Sequence, residues 1–148
     1  MKLSVAGRSS VVGTSSRAIA SVFSASTMGF RMREIGVFNT TSTAVSVALT
    51  RFTASTAVGA LTTTVRWDPG INQTAPWTSS YAGHTGDGGV GVSTYIRYGS
   101  LGAAIGSGII WTFGGEGVVV DAGTANGIGI VIPTGTGQTL DYYYDWEE

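Results

Sequence analysis

The chain has 148 residues, no cysteine and a formal net charge of −1 at neutral pH. That length fits one domain with its own core, and the missing thiols exclude disulfides and thiolate metal sites. Without a basic stripe the chain is a poor match for a nucleic-acid backbone, and it holds no run of about 18 apolar residues that would span a membrane as a helix.

Only 11% of the residues are charged, against ~25% in an average soluble domain. Ser, Thr and Gly fill the gap. Lys2 is the one lysine against seven arginines. Arginine is preferred to lysine at protein interfaces because its planar fork bonds in two directions and is weakly hydrated. Both features point to a protein that works inside an assembly. A cysteine-free chain suits a reducing cytoplasm. Ser and Gly interrupt any apolar stretch between Lys2 and Arg8 and beyond, so no signal peptide is expected.

Helix formers are scarce, and no window holds a 3.6-residue apolar period. Short β-branched runs bounded by Gly, Asn, Asp and Pro recur instead, as in an antiparallel sandwich or barrel. Lys2 to Val12 is expected as an edge strand or, within residues 1–17, an arm that orders on binding. Arg17 to Ala25 reads as a strand. Phe30 to Arg33 alternates apolar and charged residues, then Ile35 and Val37 continue on the opposite parity, so a β-bulge is expected near Gly36. Asn39-Thr40-Thr41-Ser42 reads as a turn, which makes 29–38 and 43–52 a hairpin. Leu61 to Trp67 is expected as one strand, ended by Asp68-Pro69-Gly70.

Residues 69–91 hold Pro69, Pro76, Trp77, Tyr81, His84 and Gly86-Asp87-Gly88-Gly89, and read as a long loop of the kind that often carries function. Strands are expected again at Val92 to Tyr98, Ile109 to Phe113, Val118 to Val120 and Ile128 to Ile132. Asn126-Gly127 offers the positive φ of a tight turn. In the last strand Leu140, Tyr142, Tyr144 and Trp146 alternate with Asp141, Tyr143, Asp145 and Glu147, setting an aromatic face against a mostly acidic one. The expected fold is all-β, a single sandwich over residues 1–148 with about eight to nine antiparallel strands in jelly-roll or Greek-key order.

Catalytic patterns are missing. His84 is the only histidine, and with no cysteine beside it the expected role is a solvated or hydrogen-bonded loop residue. There is no Gly-x-Ser-x-Gly elbow, and the glycines at 86–89 lack the Lys and Ser/Thr of a phosphate loop. Asp141, Asp145 and Glu147 share a strand face and read as a solvated or partner-facing row rather than a catalytic pair. Asn39-Thr40-Thr41 and Asn72-Gln73-Thr74 match the glycosylation sequon but read as turn chemistry. Trp67, Trp77, Tyr81 and Tyr95 form either a sugar-stacking platform or ordinary core and interface anchors. No enzyme activity, cofactor or metal is expected.

Two stretches carry a family likeness. One runs from Arg31-Met32-Arg33-Glu34-Ile35-Gly36-Val37-Phe38-Asn39-Thr40-Thr41 to Val45. The other runs from Ser100-Leu101-Gly102-Ala103-Ala104-Ile105-Gly106 through Ile110-Trp111-Thr112-Phe113 to Ala122-Gly123-Thr124-Ala125-Asn126-Gly127-Ile128, and Thr136-Gly137-Gln138-Thr139-Leu140-Asp141 belongs with it. Together they resemble the head decoration, or cement, proteins of tailed bacteriophages, over roughly residues 29–148. The resemblance implies a jelly-roll domain that assembles as a homotrimer on the major capsid protein, at the outer surface of an icosahedral head, and stabilises the head against internal pressure. It implies no nucleic-acid or membrane partner. Three contacts on one rigid trimer would act together, raising avidity by ~10²–10⁴.

Candidate contact residues are Arg31, Arg33 and Glu34 on one strand, Trp77 and Tyr81 in the 69–91 loop, and the acidic end Asp145, Glu147 and Glu148 facing a basic surface. The alternative is a tail- or fibre-associated module that binds host-surface sugars. That version expects an exposed Trp or Tyr in a groove, whereas a cement protein expects a flat, apolar base.

Overall fold

β-Branched and small residues recur along the chain, and the computed structural model forms twelve strands and no helix among the residues it describes. It describes residues 1–55, 58–68, 70, 76–86, 94–135 and 138–148. In chain order the strands are β1 (Lys2–Arg8), β2 (Ala20–Phe23), β3 (Phe30–Asn39), β4 (Val45–Phe52), β5 (Ala60–Leu61), β6 (Val65–Arg66), β7 (Ser79–Ala82), β8 (Arg97–Leu101), β9 (Gly108–Thr112), β10 (Val118–Val120), β11 (Gly127–Thr134) and β12 (Leu140–Glu147).

The pairings nest. β4 pairs β8, β3 pairs β9, β2 pairs β11 and β1 pairs β12, all antiparallel. The chain therefore runs out and back as one long double ribbon. Rolled up, that ribbon puts β1, β12, β3 and β9 in a first sheet and β2, β11, β4 and β8 in a second, which is jelly-roll wiring. Those eight strands match the expected architecture. The total of twelve exceeds the eight to nine expected because short pieces join the edges. β6 extends the first sheet beyond β1, and β7 and β5 extend the second beyond β2. β10 continues the line of β9 along β3, pairing with Phe30 to Met32 where β9 pairs with Glu34 to Phe38.

Several local expectations are corrected by this wiring. Residues 29–38 and 43–52 are both strands, but β3 and β4 lie in different sheets and form no hairpin. The Asn39 side chain shapes the crossing, donating to the Thr43 and Gly102 carbonyls (2.7 and 2.9 Å) and accepting from the Thr41 N–H (3.0 Å). Leu61 to Trp67 is not one strand either: β5 joins the second sheet and β6 the first. The 69–91 segment contains β7, paired with β2 over Ser79 to Ala82. The strand expected over Val92 to Tyr98 instead begins at Arg97 and ends at Leu101, and Val92 and Ser93 lie outside the described residues. Between β10 and β11 the positive φ falls at Gly123, while Gly127 is already the first residue of β11. Lys2 to Arg8, left open between strand and arm, is a strand paired along its whole length with β12 and flanked at Leu3 and Ser4 by β6.

The main core lies between the sheets. Leu3, Val5, Met32, Ile35, Tyr142, Tyr144 and Trp146 come from the first sheet and meet Val22, Val47, Leu49, Ile128 and Ile130 from the second. Each such side chain withdrawn from water contributes ~1.5–3 kcal/mol. A smaller cluster of Ala18, Phe23, Ala48, Phe52 and Val131 covers the other face of the second sheet, with Val58, Tyr81 and Tyr95 packed on it. β11 is accordingly buried on both faces from Gly127 to Ile132, whereas β12 alternates between buried and half-buried residues.

Candidate functional site

The expected bulge is present, centred on Arg33 rather than Gly36. Asp145 lies opposite Glu34 and Trp146 opposite Met32, so Arg33 is the extra residue of β3. The bulge explains the break in parity: Arg33 and Glu34, adjacent in sequence, are both half-buried on the side away from the core. A row of paired residues then crosses four strands: Ser4 on β1, Asp145 on β12, Glu34 on β3 and Thr112 on β9.

Each member of this row is tied down. Glu34 accepts from the Tyr143 hydroxyl through Oε1 (2.7 Å) and from the Thr112 hydroxyl through Oε2 (3.1 Å). Asp145 is within hydrogen-bonding reach of the Ser4 hydroxyl and the Trp67 indole N–H. Arg33 donates through Nε to Glu147 (2.9 Å), again to Glu147 through Nη2, and through Nη1 to the Gly114 (3.1 Å) and Gly115 carbonyls. A positive φ at Gly114 (59°) turns the loop after β9 so that these carbonyls face the guanidinium. Gly36 supplies the other requirement, since a Cβ there would overlap the Tyr143 ring that reaches across to Glu34.

Around this row lies an open groove of about 450 Å³, lined by Lys2, Arg33, Glu34, Trp67, Thr112 and Asp145 among others. Trp67 stands at its side with 61% of its surface exposed. Burial raises the Asp145 carboxyl above its usual range, and the neighbouring Glu34 charge adds to the rise against the Ser4 and Trp67 donors. The Arg33 hydrogen bonds hold Glu147 below its usual range. Burial, then the bond to Glu34, pushes the Tyr143 hydroxyl well up, so it stays a donor at neutral pH.

Arg33, Glu34, Asp145 and Glu147 thus meet at one place. Arg31 lies apart, in a loose exposed pair with Glu116 (3.4 Å), and such pairs are worth ~0–1 kcal/mol. Trp77 is 47% exposed and Tyr81 packs edge-on against Phe23 at 6.0 Å, on the second sheet. Tyr95 packs against Tyr98 at 5.8 Å. The four aromatics therefore form no shared platform, and Trp67 alone joins the groove. The acidic end is largely engaged within the chain. Asp141 accepts from Nε and Nη2 of Arg8 (2.7 and 3.0 Å), Glu147 accepts from Arg33, and the Glu148 carboxylate accepts from the backbone N–H groups of Trp77 and Thr78. What reasoning from sequence missed was the partnership of Trp67, Tyr143 and Thr112 with the bulge. The adjacent Arg33-Glu34 pair was the available signal.

His84 is fully buried rather than solvated. Its ring lies between Phe23 and Phe52 (centroids 6.3 and 5.2 Å) and its Nε2 is 2.6 Å from the Ser21 hydroxyl. Burial lowers its pKa to about 4, so the ring is neutral. Among the described residues no group of three or more His, Asp or Glu side chains is placed to hold a metal ion, and no helix is long and apolar enough to cross a membrane.

A second feature is the sandwich edge formed by β8 and β9. Among the described residues no strand pairs with the outer side of either. No charged residue occurs from Tyr98 to Gly115, and Tyr98, Ile105 and Ile110 are 53%, 77% and 54% exposed. The opposite edge ends in β5 and β6, strands of two residues each, with Arg66 on β6. Short or charged strands protect an edge from pairing with another chain. One side of the sandwich is protected in this way; on the other, longer strands carry a single charge, Arg97 at the start of β8.

No family model, no curated protein and no solved structure matches the chain.

Proposed function

We propose that this protein is a virion structural protein of the head-decoration type, a homotrimer that binds the major capsid protein on the outside of a tailed-phage head and resists its expansion. The observation that carries this reading is the β8–β9 edge. Five-residue strands with free edges, an apolar tip at Ala103-Ala104-Ile105 and, past Arg97, no charge are costly to leave in water and invite association. The residues that resemble decoration proteins, Ser100 to Gly106 and Ile110 to Phe113, lie on this edge. The low charge of the chain weakens repulsion between copies. A rigid jelly roll joined into a trimer would act as a clamp across capsid subunit boundaries, with no chemistry required.

Two measurements test the reading. Mass in solution should give a trimer. Mixing the protein with expanded, undecorated heads should give saturable binding and raise the temperature at which the heads rupture. A monomer that ignores such heads defeats it.

A further inference from the structure

The groove on the first sheet meets that edge at Thr112 of β9, and its chemistry points to a ligand. We infer that it binds a neutral saccharide, stacked on Trp67 and hydrogen-bonded by Glu34, Asp145 and Thr112.

Three observations support this. First, Trp67 lines the groove while most of its surface stays in water, so aromatic surface is available there. The electron-rich face of an indole attracts the polarised C–H groups on the apolar side of a sugar ring. Second, the hydroxyls at a sugar's rim need fixed acceptors and donors. An ionised carboxylate offers about four lone-pair sites. Glu34 has two donors in place, which orients it and leaves capacity for incoming hydroxyl groups, and Asp145 stands beside it in the groove. Third, the lining selects by charge. Lys2 and Arg33 stand against Glu34, Asp145 and Glu147, and Arg33 is already occupied by Glu147 and two carbonyls. With one net negative charge and no free guanidinium face, the groove favours neutral sugars over uronic acids, sialic acids or phosphates. Its volume falls in the ~300–1,000 Å³ range of small-ligand sites, and its open side admits a chain longer than one residue.

The test is titration of the intact protein with neutral disaccharides (cellobiose, lactose, maltose and N,N′-diacetylchitobiose) and with an anionic digalacturonate, following the tryptophan indole N–H resonances. At least one neutral disaccharide should give a saturable shift of the Trp67 signal with Trp77 unmoved. Trp67→Ala, at an exposed site, should abolish binding, and Glu34→Gln should weaken it by about tenfold. Ile105→Lys, at the tip of the β8–β9 edge and outside the groove lining, should leave it unchanged, which separates this inference from the decoration reading. Absence of any shift at Trp67 across the neutral panel, binding that survives Trp67→Ala, or preference for the digalacturonate would overturn it.

Discussion

The Tyr144 hydroxyl of the first sheet accepts a hydrogen bond from the Ile130 backbone N–H of the second (3.1 Å). It also donates to the Ala20 carbonyl (2.9 Å), and Ala20 and Ile130 face each other across β2 and β11. One fully buried phenol therefore joins the two sheets and satisfies two backbone groups that no water reaches. Tyr144→Phe keeps the packing and orphans both. A buried unsatisfied group costs ~1–3 kcal/mol, so the variant should lose about 2–4 kcal/mol, read as a lower urea midpoint at unchanged slope.

Acid should destabilise the fold through His84. Its pKa is about 4 in the folded state against 6.5 when exposed. Between those values the unfolded chain binds the extra proton, so stability is full above pH 6.5 and falls as pH drops through the window. At ~1.4 kcal/mol per unit the loss is about 2 kcal/mol between pH 6.5 and 5. Asp141 and Glu147, held low by Arg8 and Arg33, add their losses only in the more acidic carboxylate range, and Asp145, held high, acts in the opposite sense. Chemical denaturation at pH 7 and pH 5 should show the drop in the parent. His84→Leu should show almost none, even if it is less stable at pH 7.

Gly36→Ala should unsettle the groove without touching it. Its methyl group overlaps the Tyr143 ring, and moving that ring breaks the bond to Glu34. Overpacking of this kind costs ~1–3 kcal/mol. Combined with Tyr143→Ala the two losses should fall well short of additive, whereas independent effects on melting would contradict the contact.

Charge placed on the bare edge should act on association alone. Ile110 is 54% and Ile105 77% exposed, so Ile110→Lys and Ile105→Lys should change folding stability by less than about 0.5 kcal/mol. Sedimentation should show the double variant as a monomer under conditions where the parent associates. Unchanged association would show that the edge is not the contact.

Much of the fold was legible because strand periodicity is local. β12 alternates residue by residue, and its burial follows that alternation from Leu140 to Glu147. The parity break in β3 announced a bulge for the same reason, although Gly36 drew attention from Arg33. The glycine serves Tyr143 instead, a contact with a residue far along the chain that periodicity cannot display. Asn39 to Ser42 read as a hairpin turn, because turn residues report a reversal and not the sheet that receives the next strand.

By itself, the sequence determined the all-β character, the two faces of the last strand, the poverty of charge and the lack of familiar catalytic motifs, since all of these follow from residue type and short-range spacing. Tertiary structure alone decided which strands became neighbours, that the lone histidine is sealed between two phenylalanines, and that Trp67 meets Glu34 and Asp145. Trp67, Glu34 and Asp145 come from two strands and a loop, and only long-range backbone pairing sets their distances.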